Sequence, residues 1–271
     1  MLVVAVGAPA GVHSGVHRAD RTLDSVVAAV RRLPADDVVL VTRDDEARLV
    51  ARSARLVLGS ERLAHLHLAG ARLTAWALVL AGLSTPALPA SSASAVADDV
   101  LANVHTRAIL STVASLGDPV PTFRQHAGSL LPNSAFLVDT RRGTVGRFQG
   151  RLGLPEGELL AVARSPRPVV PEATIPGLLP RTADADLGPQ PARPASWPAP
   201  RWFEASVLLT PLTATITGVA TGFLRWPSCE VCGRATPAAC LFCGVGGPDT
   251  VAAPAAATTP SPASDPQEQV R

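Results

Sequence analysis

Residues 2–41 read LVVAVGAPAGVHSGVHRADRTLDSVVAAVRRLPADDVVLV, and this stretch decides the expected fold. Leu2–Val6 and Val38–Val41 are short, uninterrupted apolar runs, which are typical of strands buried on both faces. Between them, apolar residues recur at helical spacing over 23–33, and Pro34 ends that pattern. A buried strand, a helix and another buried strand predict a unit of a parallel sheet.

The same alternation continues along the chain to about residue 117. The pattern predicts further elements at the following positions: a helix from Asp44 to about Ala54, a strand over 62–68, a helix over 73–83 and a long helix from Ala95 to Leu116. We therefore expect an α/β fold over residues 1–117, with a Rossmann-like parallel sheet and flanking helices.

The rest of the chain changes character. Short β-like runs over 135–138, 144–149 and 159–163 predict a small β extension at 118–165, the first two runs forming a hairpin. Residues 166–200 hold ten prolines, which indicate a linker. A second compact unit is expected over 201–247, with the uncharged stretch 205–224 as β structure. The tail 248–271 is expected to be disordered.

Composition excludes several kinds of chemistry. All 24 basic residues are arginine and the sequence contains no tyrosine, so a Schiff-base lysine, a P-loop lysine and a tyrosine acid are ruled out. This bias is typical of a GC-rich, actinobacterial-like genome. The net charge of +2 excludes a strongly basic nucleic-acid binder. Because no signal peptide or long apolar span is visible, we expect a cytoplasmic protein with membrane contact unlikely.

Four cysteines near the C-terminus form the most specific motif: Cys229, Cys232, Cys240 and Cys243. They make two CxxC pairs, each followed by glycine, and such turns direct both sulfurs of a pair towards one ion. The stretch resembles the zinc-ribbon family, whose paired CxxCG knuckles are matched by these cysteines with Gly233 and Gly244. The resemblance covers only this stretch, and the segment between the knuckles is short and contains Pro237. It implies a structural Zn²⁺; a rubredoxin-type iron or a redox dithiol are the alternatives.

The loop after the first strand is the candidate ligand site of the first domain. It offers Gly7, Gly11, Gly15 and Arg18 as cofactor-binding residues, because loops at the carboxyl ends of parallel strands form the ligand crevice. The glycine spacing matches neither the dinucleotide nor the P-loop fingerprint. Backbone N–H groups with Arg18 could hold a phosphate or carboxylate, and a plain surface loop is the alternative.

Histidines suggest a second possibility in the same region. His13 and His17 lie in the loop with Asp20, and His65 and His67 end the third predicted strand, so convergence of these groups would suit a catalytic metal. The alternative is that they line solvated faces. No nucleophile motif is present, and we assign no catalytic residue.

Three functions remain open from the sequence. The leading hypothesis is a non-enzymatic, zinc-stabilised interaction or regulatory protein, whose protein partner would contact Phe242 and Trp226. The alternative is a small-molecule or nucleotide-binding enzyme that uses the Gly7–Asp20 loop. The third is nucleic-acid binding through the zinc ribbon, for which Arg225 and Arg234 are the nearby cations.

Overall fold

The computed structural model describes residues 1–34, 37–59, 61–85, 88–131, 134–190 and 197–244. Within these ranges the chain forms two β-sheets, several α-helices and two short 3₁₀ helices, Ala90–Ser92 and Glu172–Leu178. The strands are β1 Leu2–Val6, β2 Val16–Ala19, β3 Val38–Thr42, β4 Leu63–His67, β5 Val104–Leu110, β6 Phe136–Asp139, β7 Thr144–Arg147, β8 Leu159–Arg164, β9 Ala185–Pro189 and β10 Trp202–Leu208. The helices are α1 Leu23–Arg31, α2 Asp45–Leu58, α3 Leu73–Leu83, α4 Ala93–Asn103, α5 Phe123–Gly128 and α6 Leu212–Phe223.

The N-terminal sheet, sheet A, is parallel throughout, in the order β2-β1-β3-β4. Helices α1 and α2 cover one of its faces and bury a core that includes Val26 and Ala51. Each helix begins at a side-chain cap: Thr22 accepts a hydrogen bond from Ser25 N, and Asp44 accepts one from Ala47 N. A mixed α/β fold with a parallel sheet and flanking helices is therefore confirmed.

A short connection links β1 to its parallel neighbour β2. Parallel strands usually need a crossover of a dozen or more residues, yet only residues 7–15 lie between these two. Gly7 and Gly11 adopt positive φ values of 72° and 84°, which let the backbone reverse in this small space. The predicted loop thus contains a four-residue strand that its sequence, VHRA, did not indicate.

The C-terminal sheet, sheet B, has the order β7-β6-β5-β10-β8-β9 and is antiparallel except for the β8–β9 pair. All seven residues of β10 are buried, as expected of a strand paired on both edges and covered on both faces. One face of sheet B packs against loops and the second 3₁₀ helix, burying residues such as Leu152 and Ile175.

Helix α3 lies between the two sheets. All eleven of its residues are buried, and its core neighbours include Val39 of sheet A and Ala161 of sheet B. A helix that is apolar on every side must be enclosed, and two sheet faces together with helix α4 enclose this one. The predicted bounds of this helix, 73–83, match those of α3.

The predicted long helix from Ala95 to Leu116 is wrong. Helix α4 ends at Asn103, and the chain continues directly into β5. The β-branched side chains of Val104, Thr106 and Ile109 favour a strand once β6 and β10 are available as partners. The expected domain boundary after residue 117 therefore falls between the paired strands β5 and β6.

The prediction of a proline-rich linker over 166–200 also needs correction for the described residues, which exclude 191–196. This segment contains the second 3₁₀ helix and strand β9. Proline is tolerated here because Pro189 ends β9, which is an edge strand of sheet B.

The boundaries expected for the zinc module need correction as well. Strand β10 belongs to the middle of sheet B, and α6 packs against α4, so only about 226–244 form the knuckles. The prediction of β structure over 205–224 is correct as far as Leu208, where β10 ends. From Leu212 onward the segment is the helix α6 instead. The predicted disordered tail lies outside the described residues. Among the described helices, none combines the length and apolarity needed to cross a bilayer.

Replacing Gly11 with alanine should test how tightly the β1–β2 loop packs against sheet B. A Cβ at this position would lie 2.0 Å from the Asp186 backbone oxygen, and the residue has a φ of 84°. We expect a loss of about 2–4 kcal/mol of unfolding free energy from the clash and the backbone strain together. Chemical denaturation of the purified chain measures this loss.

Gly59→Ala is the matched control, since Gly59 also has a positive φ, 59°, but among the described residues no atom beyond its chain neighbours lies within 4 Å of an added Cβ. It should lose only about 1 kcal/mol. Equal losses in the two variants would show that the contact with β9 is unimportant.

Candidate functional site

A cavity of about 1010 Å³ lies at one end of sheet B, where β8 ends and β10 begins. The described residues that line it are Ser165, Pro166, Arg167, Gln190, Trp197, Pro198, Ala199, Pro200, Arg201 and Trp202. Indole, proline and alanine surfaces make most of this lining apolar. Its charged members among these described residues are two arginines, with no carboxylate, so the cavity combines apolar walls with positive charge.

Trp197 forms a fixed wall of this cavity. Its side chain is buried, its indole N–H donates a hydrogen bond to Glu204 Oε2, and the Arg72 guanidinium lies 3.8 Å from its ring centroid. A cation over an indole face is an attractive arrangement, and a buried indole N–H requires an acceptor. The cavity wall is therefore preorganised, and the Arg72 cation lies directly against it.

Glu204, on β10, connects this wall to helix α3. Its Oε1 accepts hydrogen bonds from Thr74 N at 2.7 Å and from Thr74 Oγ1 at 2.6 Å. The Thr74 hydroxyl lies 2.6 Å from Ser206 Oγ, which in turn lies 2.6 Å from Thr106 Oγ1. A fully buried carboxyl group is thus provided with donors from the first turn of α3 and from the indole.

More arginines lie at the carboxyl ends of the sheet A strands, beside Arg72. Arg21 pairs with Asp44 at 3.0 Å, and Arg43 Nη1 donates to Ala71 O at 3.4 Å. Burial lowers the pKa of the Arg43 guanidinium, and Glu204 and Asp44 act in the opposite direction. Burial also lowers the pKa of Arg72, whose Nη2 donates to Asp118 O at 3.2 Å. Cations that lose hydration in this way are stabilised by an anion placed beside them.

Asp44 belongs to the same cluster of charges. Burial alone would raise its pKa, but the hydrogen bonds from Ala47 N and from Arg21 outweigh burial and hold the pKa below its ordinary value. The carboxylate therefore stays charged at neutral pH, both as the cap of α2 and as the partner of Arg21.

The four loop residues predicted to bind a cofactor each contact another part of the chain. The Arg21 side chain passes so close over Gly7 that an added Cβ would lie 2.8 Å from it, and Gly11 abuts the Asp186 backbone. A Cβ on Gly15 would lie 3.1 Å from Ser84 Cβ, and Arg18 Nε donates to Ala8 O at 3.1 Å. The positions of these glycines are thus explained by packing, and their binding role stays a prediction.

The histidines do not converge on one site. His17 lies on β2 and His67 on β4, at opposite edges of sheet A, which places them roughly 14 Å apart at ordinary strand spacing. His13 Nδ1 instead lies 2.9 Å from Ser84 Oγ. His65 Nε2 and His67 Nδ1 each lie 3.0 Å from Thr42 Oγ1 on the neighbouring strand. The hypothesis of a catalytic metal held by all four is therefore wrong.

The four cysteines do come together. Their Sγ atoms all lie within 4.8 Å of one another, and among the described residues this is the one group of three or more metal-binding side chains. No disulfide joins them. Arg234, expected to be available to a nucleic acid, pairs with Asp37 at 3.1 Å and lies 3.9 Å from the Phe242 ring centroid.

The sequence does not predict the cavity beside Trp197, because most of the residues that line it lie in the segment expected to be a linker. One signal could have revealed it. Trp197 and Trp202 lie within or next to the proline-rich stretch, and large aromatic side chains are rare in a solvated linker. Prolines and tryptophans at this density indicate an ordered apolar surface instead.

Comparison with known proteins gives structural similarity alone. No family model matches the sequence, and no curated protein matches it significantly. A DegV family protein from Eubacterium eligens loaded with heptadecanoic acid is 10% identical with a TM-score of 0.49, covering 77% of this chain and 99% of that one. The Streptococcus pneumoniae fatty acid kinase B3 protein loaded with linoleic acid is 8% identical with a TM-score of 0.46, covering 77% and 99%. A fatty-acid-binding DegV family protein from Thermus thermophilus is 12% identical with a TM-score of 0.47, covering 76% and 99%.

The leading hypothesis of a zinc-dependent interaction or regulatory protein is wrong as the main function. The expected contact residue Phe242 is only 5% exposed, and Trp226 packs edge-on against Phe223. The cysteine knuckles are also docked on the α/β body, where Cys229, Cys240 and Phe242 join the central core, instead of being tethered at a distance.

Replacing Glu204 with glutamine should destabilise the fold and loosen the cavity wall. Glutamine offers one acceptor oxygen where the carboxylate offers two, so either Thr74 or the Trp197 indole loses its partner. We expect a loss of about 1–3 kcal/mol of unfolding free energy, with a change in tryptophan fluorescence. The control is Glu61→Gln at an exposed position, which should change neither the unfolding free energy nor the fluorescence. If Glu204→Gln also left both quantities unchanged, the assigned hydrogen-bond network would be contradicted.

The stability of the chain should also depend on the protonation of His65. Burial, followed by the charge of Arg55, lowers the pKa of His65 to about 4. Between pH 6.5 and 4 the unfolded chain binds a proton at this histidine that the folded chain excludes. The unfolding free energy should therefore fall as the pH is lowered from 6.5 to 4, by at most about 1.4 kcal/mol per pH unit. Denaturation at several pH values should show a shallower slope for His65→Gln than for His17→Gln, a change on the exposed face of β2.

Proposed function

We propose that this protein binds an amphipathic organic anion of the long-chain carboxylic acid class in the cavity beside Trp197. The observation that carries the proposal is the lining of that cavity: apolar walls from tryptophan, proline and alanine, with Arg167 and Arg201 as its charged described residues. An apolar chain would gain from burial against these walls, and a carboxylate would gain from the guanidinium groups.

The size of the cavity suits such a ligand. Small-molecule sites commonly measure about 300–1,000 Å³, and this one, at about 1010 Å³, is at the upper end of that range. Because Trp197 is already held by Glu204 and Arg72, the wall does not need to be ordered when the ligand binds. The fatty acids carried by two of the matched structures belong to this chemical class.

A small-molecule-binding protein is one of the alternatives that the sequence left open. The proposed function agrees with that class of ligand but places the ligand beside Trp197 instead of in the loop after β1. The Gly7–Asp20 loop was the expected site, but Gly7 lies beneath the Arg21 side chain and Gly11 lies against Asp186. The loop instead lies at the carboxyl ends of the sheet A strands, on the side of the sheet that also carries Arg21 and Arg43.

Affinity should rise with the length of the ligand chain. We expect the dissociation constant of saturated fatty acids to fall about fourfold for each added methylene until the cavity is filled, because each buried methylene contributes about 0.8 kcal/mol. Titration calorimetry on the delipidated full chain, with acids of increasing length below their micellar concentrations, measures this series. The methyl esters of the same acids should bind at least about tenfold more weakly, since they lack the charge.

The arginines can be tested with a matched pair of double variants. Arg167→Gln with Arg201→Gln should weaken binding of the acids by about tenfold or more and leave the esters unaffected. Arg147→Gln with Arg151→Gln removes the same charge from exposed positions outside the cavity lining and should change neither. Equal binding of acids and esters would refute the anion site, and tighter binding of ATP than of any acid would favour a nucleotide instead.

A further inference from the structure

We propose that the four cysteines hold one zinc ion, and that the zinc-loaded knuckles cap the β4 edge of sheet A, with Arg55 and Arg234 as the balancing charges. Phe242, buried between the knuckles and the body, would anchor the cap. This inference does not depend on the proposed ligand cavity, because none of its residues lines that cavity.

The sulfur positions fit a zinc ion. Tetrahedral zinc about 2.3 Å from each thiolate places the sulfurs about 3.8 Å apart. The Sγ atoms of Cys232 and Cys240 are 3.6 Å apart, and all four lie within 4.8 Å of one another. That spacing is too long for a disulfide and suits four ligands around a single ion.

The two knuckles share one backbone geometry. Gly233 N donates to Cys229 O, and Gly244 N donates to Cys240 O, both at 2.8 Å. Both glycines have a φ of 70°, and in the described part of the chain no atom beyond their chain neighbours lies within 4 Å of an added Cβ, so the positive φ accounts for glycine here. The cysteines lie in turns rather than at the start of a helix, as a thioredoxin-type dithiol would require.

Charge balance brings in two arginines. A zinc ion with four thiolates carries two net negative charges, which must be compensated where water is partly excluded. Arg55, from α2, interacts electrostatically with Cys243 and Cys240 and donates a hydrogen bond to Phe242 O. Arg234, between the knuckles, interacts electrostatically with Cys232 and donates a hydrogen bond to Asp37. Each arginine joins the metal site to the α/β body.

The knuckles occupy the outer edge of β4. This strand has β3 on one side, and on the other side His65 N donates to Leu241 O at 3.0 Å. Leu241 lies between Cys240 and Cys243, so its carbonyl position depends on whether those cysteines are held together. An uncovered edge strand is a template for pairing with another chain, and the knuckles provide its cover.

The first experiment measures metal content and edge protection in the full chain. Native mass spectrometry with elemental analysis should find one zinc ion per chain. Hydrogen exchange should then show that removing zinc with a chelator, under reducing conditions, speeds exchange at least tenfold in the β4 peptide and leaves central strand β5 protected. Iron, no metal, or unchanged β4 exchange after removal would each overturn the proposal.

The second experiment separates charge from structure with three variants on α2. Arg55→Gln should weaken zinc binding about tenfold in competition with a chromophoric chelator, and Arg55→Lys should recover most of that loss. Arg52→Gln, an exposed change on the same helix, should match the unmodified chain. Equal zinc affinities for Arg55→Gln and Arg52→Gln would overturn the balancing role of Arg55.

Discussion

The buried carboxyl group of Glu204 is the contact on which the arrangement of this molecule depends. Helix α3 is enclosed by the two sheets and by helix α4, so the amide groups of its first turn cannot reach water. Glu204 supplies the acceptor from sheet B, and its second oxygen fixes the indole of Trp197. One side chain thus satisfies a helix end, ties α3 to sheet B and sets a wall of the cavity. Because all of its partners are buried, none can be replaced by solvent without a cost.

That constraint explains why the cationic groups gather where they do. The first turn of α3 must face Glu204, which brings Arg72 beside Trp197 and places the carboxyl ends of sheet A nearby. Arg43 and Arg72 then lie close enough to Glu204 for its charge to offset part of their burial. The result is a positively charged region next to an apolar cavity, which is the pairing of properties that an amphipathic anion requires.

The sequence predicted the elements whose determinants are local. Strands β1 and β3, and helices α1 and α3, follow from apolar runs and helical spacing, and the cysteine cluster follows from the spacing of its residues. The misses depend on distant partners. Strand β5 was expected to be helical because only β6 and β10 stabilise it as a strand. The cavity joins Ser165 to Trp202 across a proline-rich segment, and no local pattern reports that contact.

The cavity wall and the cysteine knuckles share one core, although they lie on different parts of it. Trp197 and Trp202 from the cavity, and Cys229, Cys240 and Phe242 from the knuckles, all belong to the cluster packed around α3. Loss of the knuckles would therefore weaken the support on which the cavity wall rests without removing any group that lines it. Under the two proposals, a metal at the cysteines would act on the stability of the binding site, and the arginines of the cavity would select the ligand.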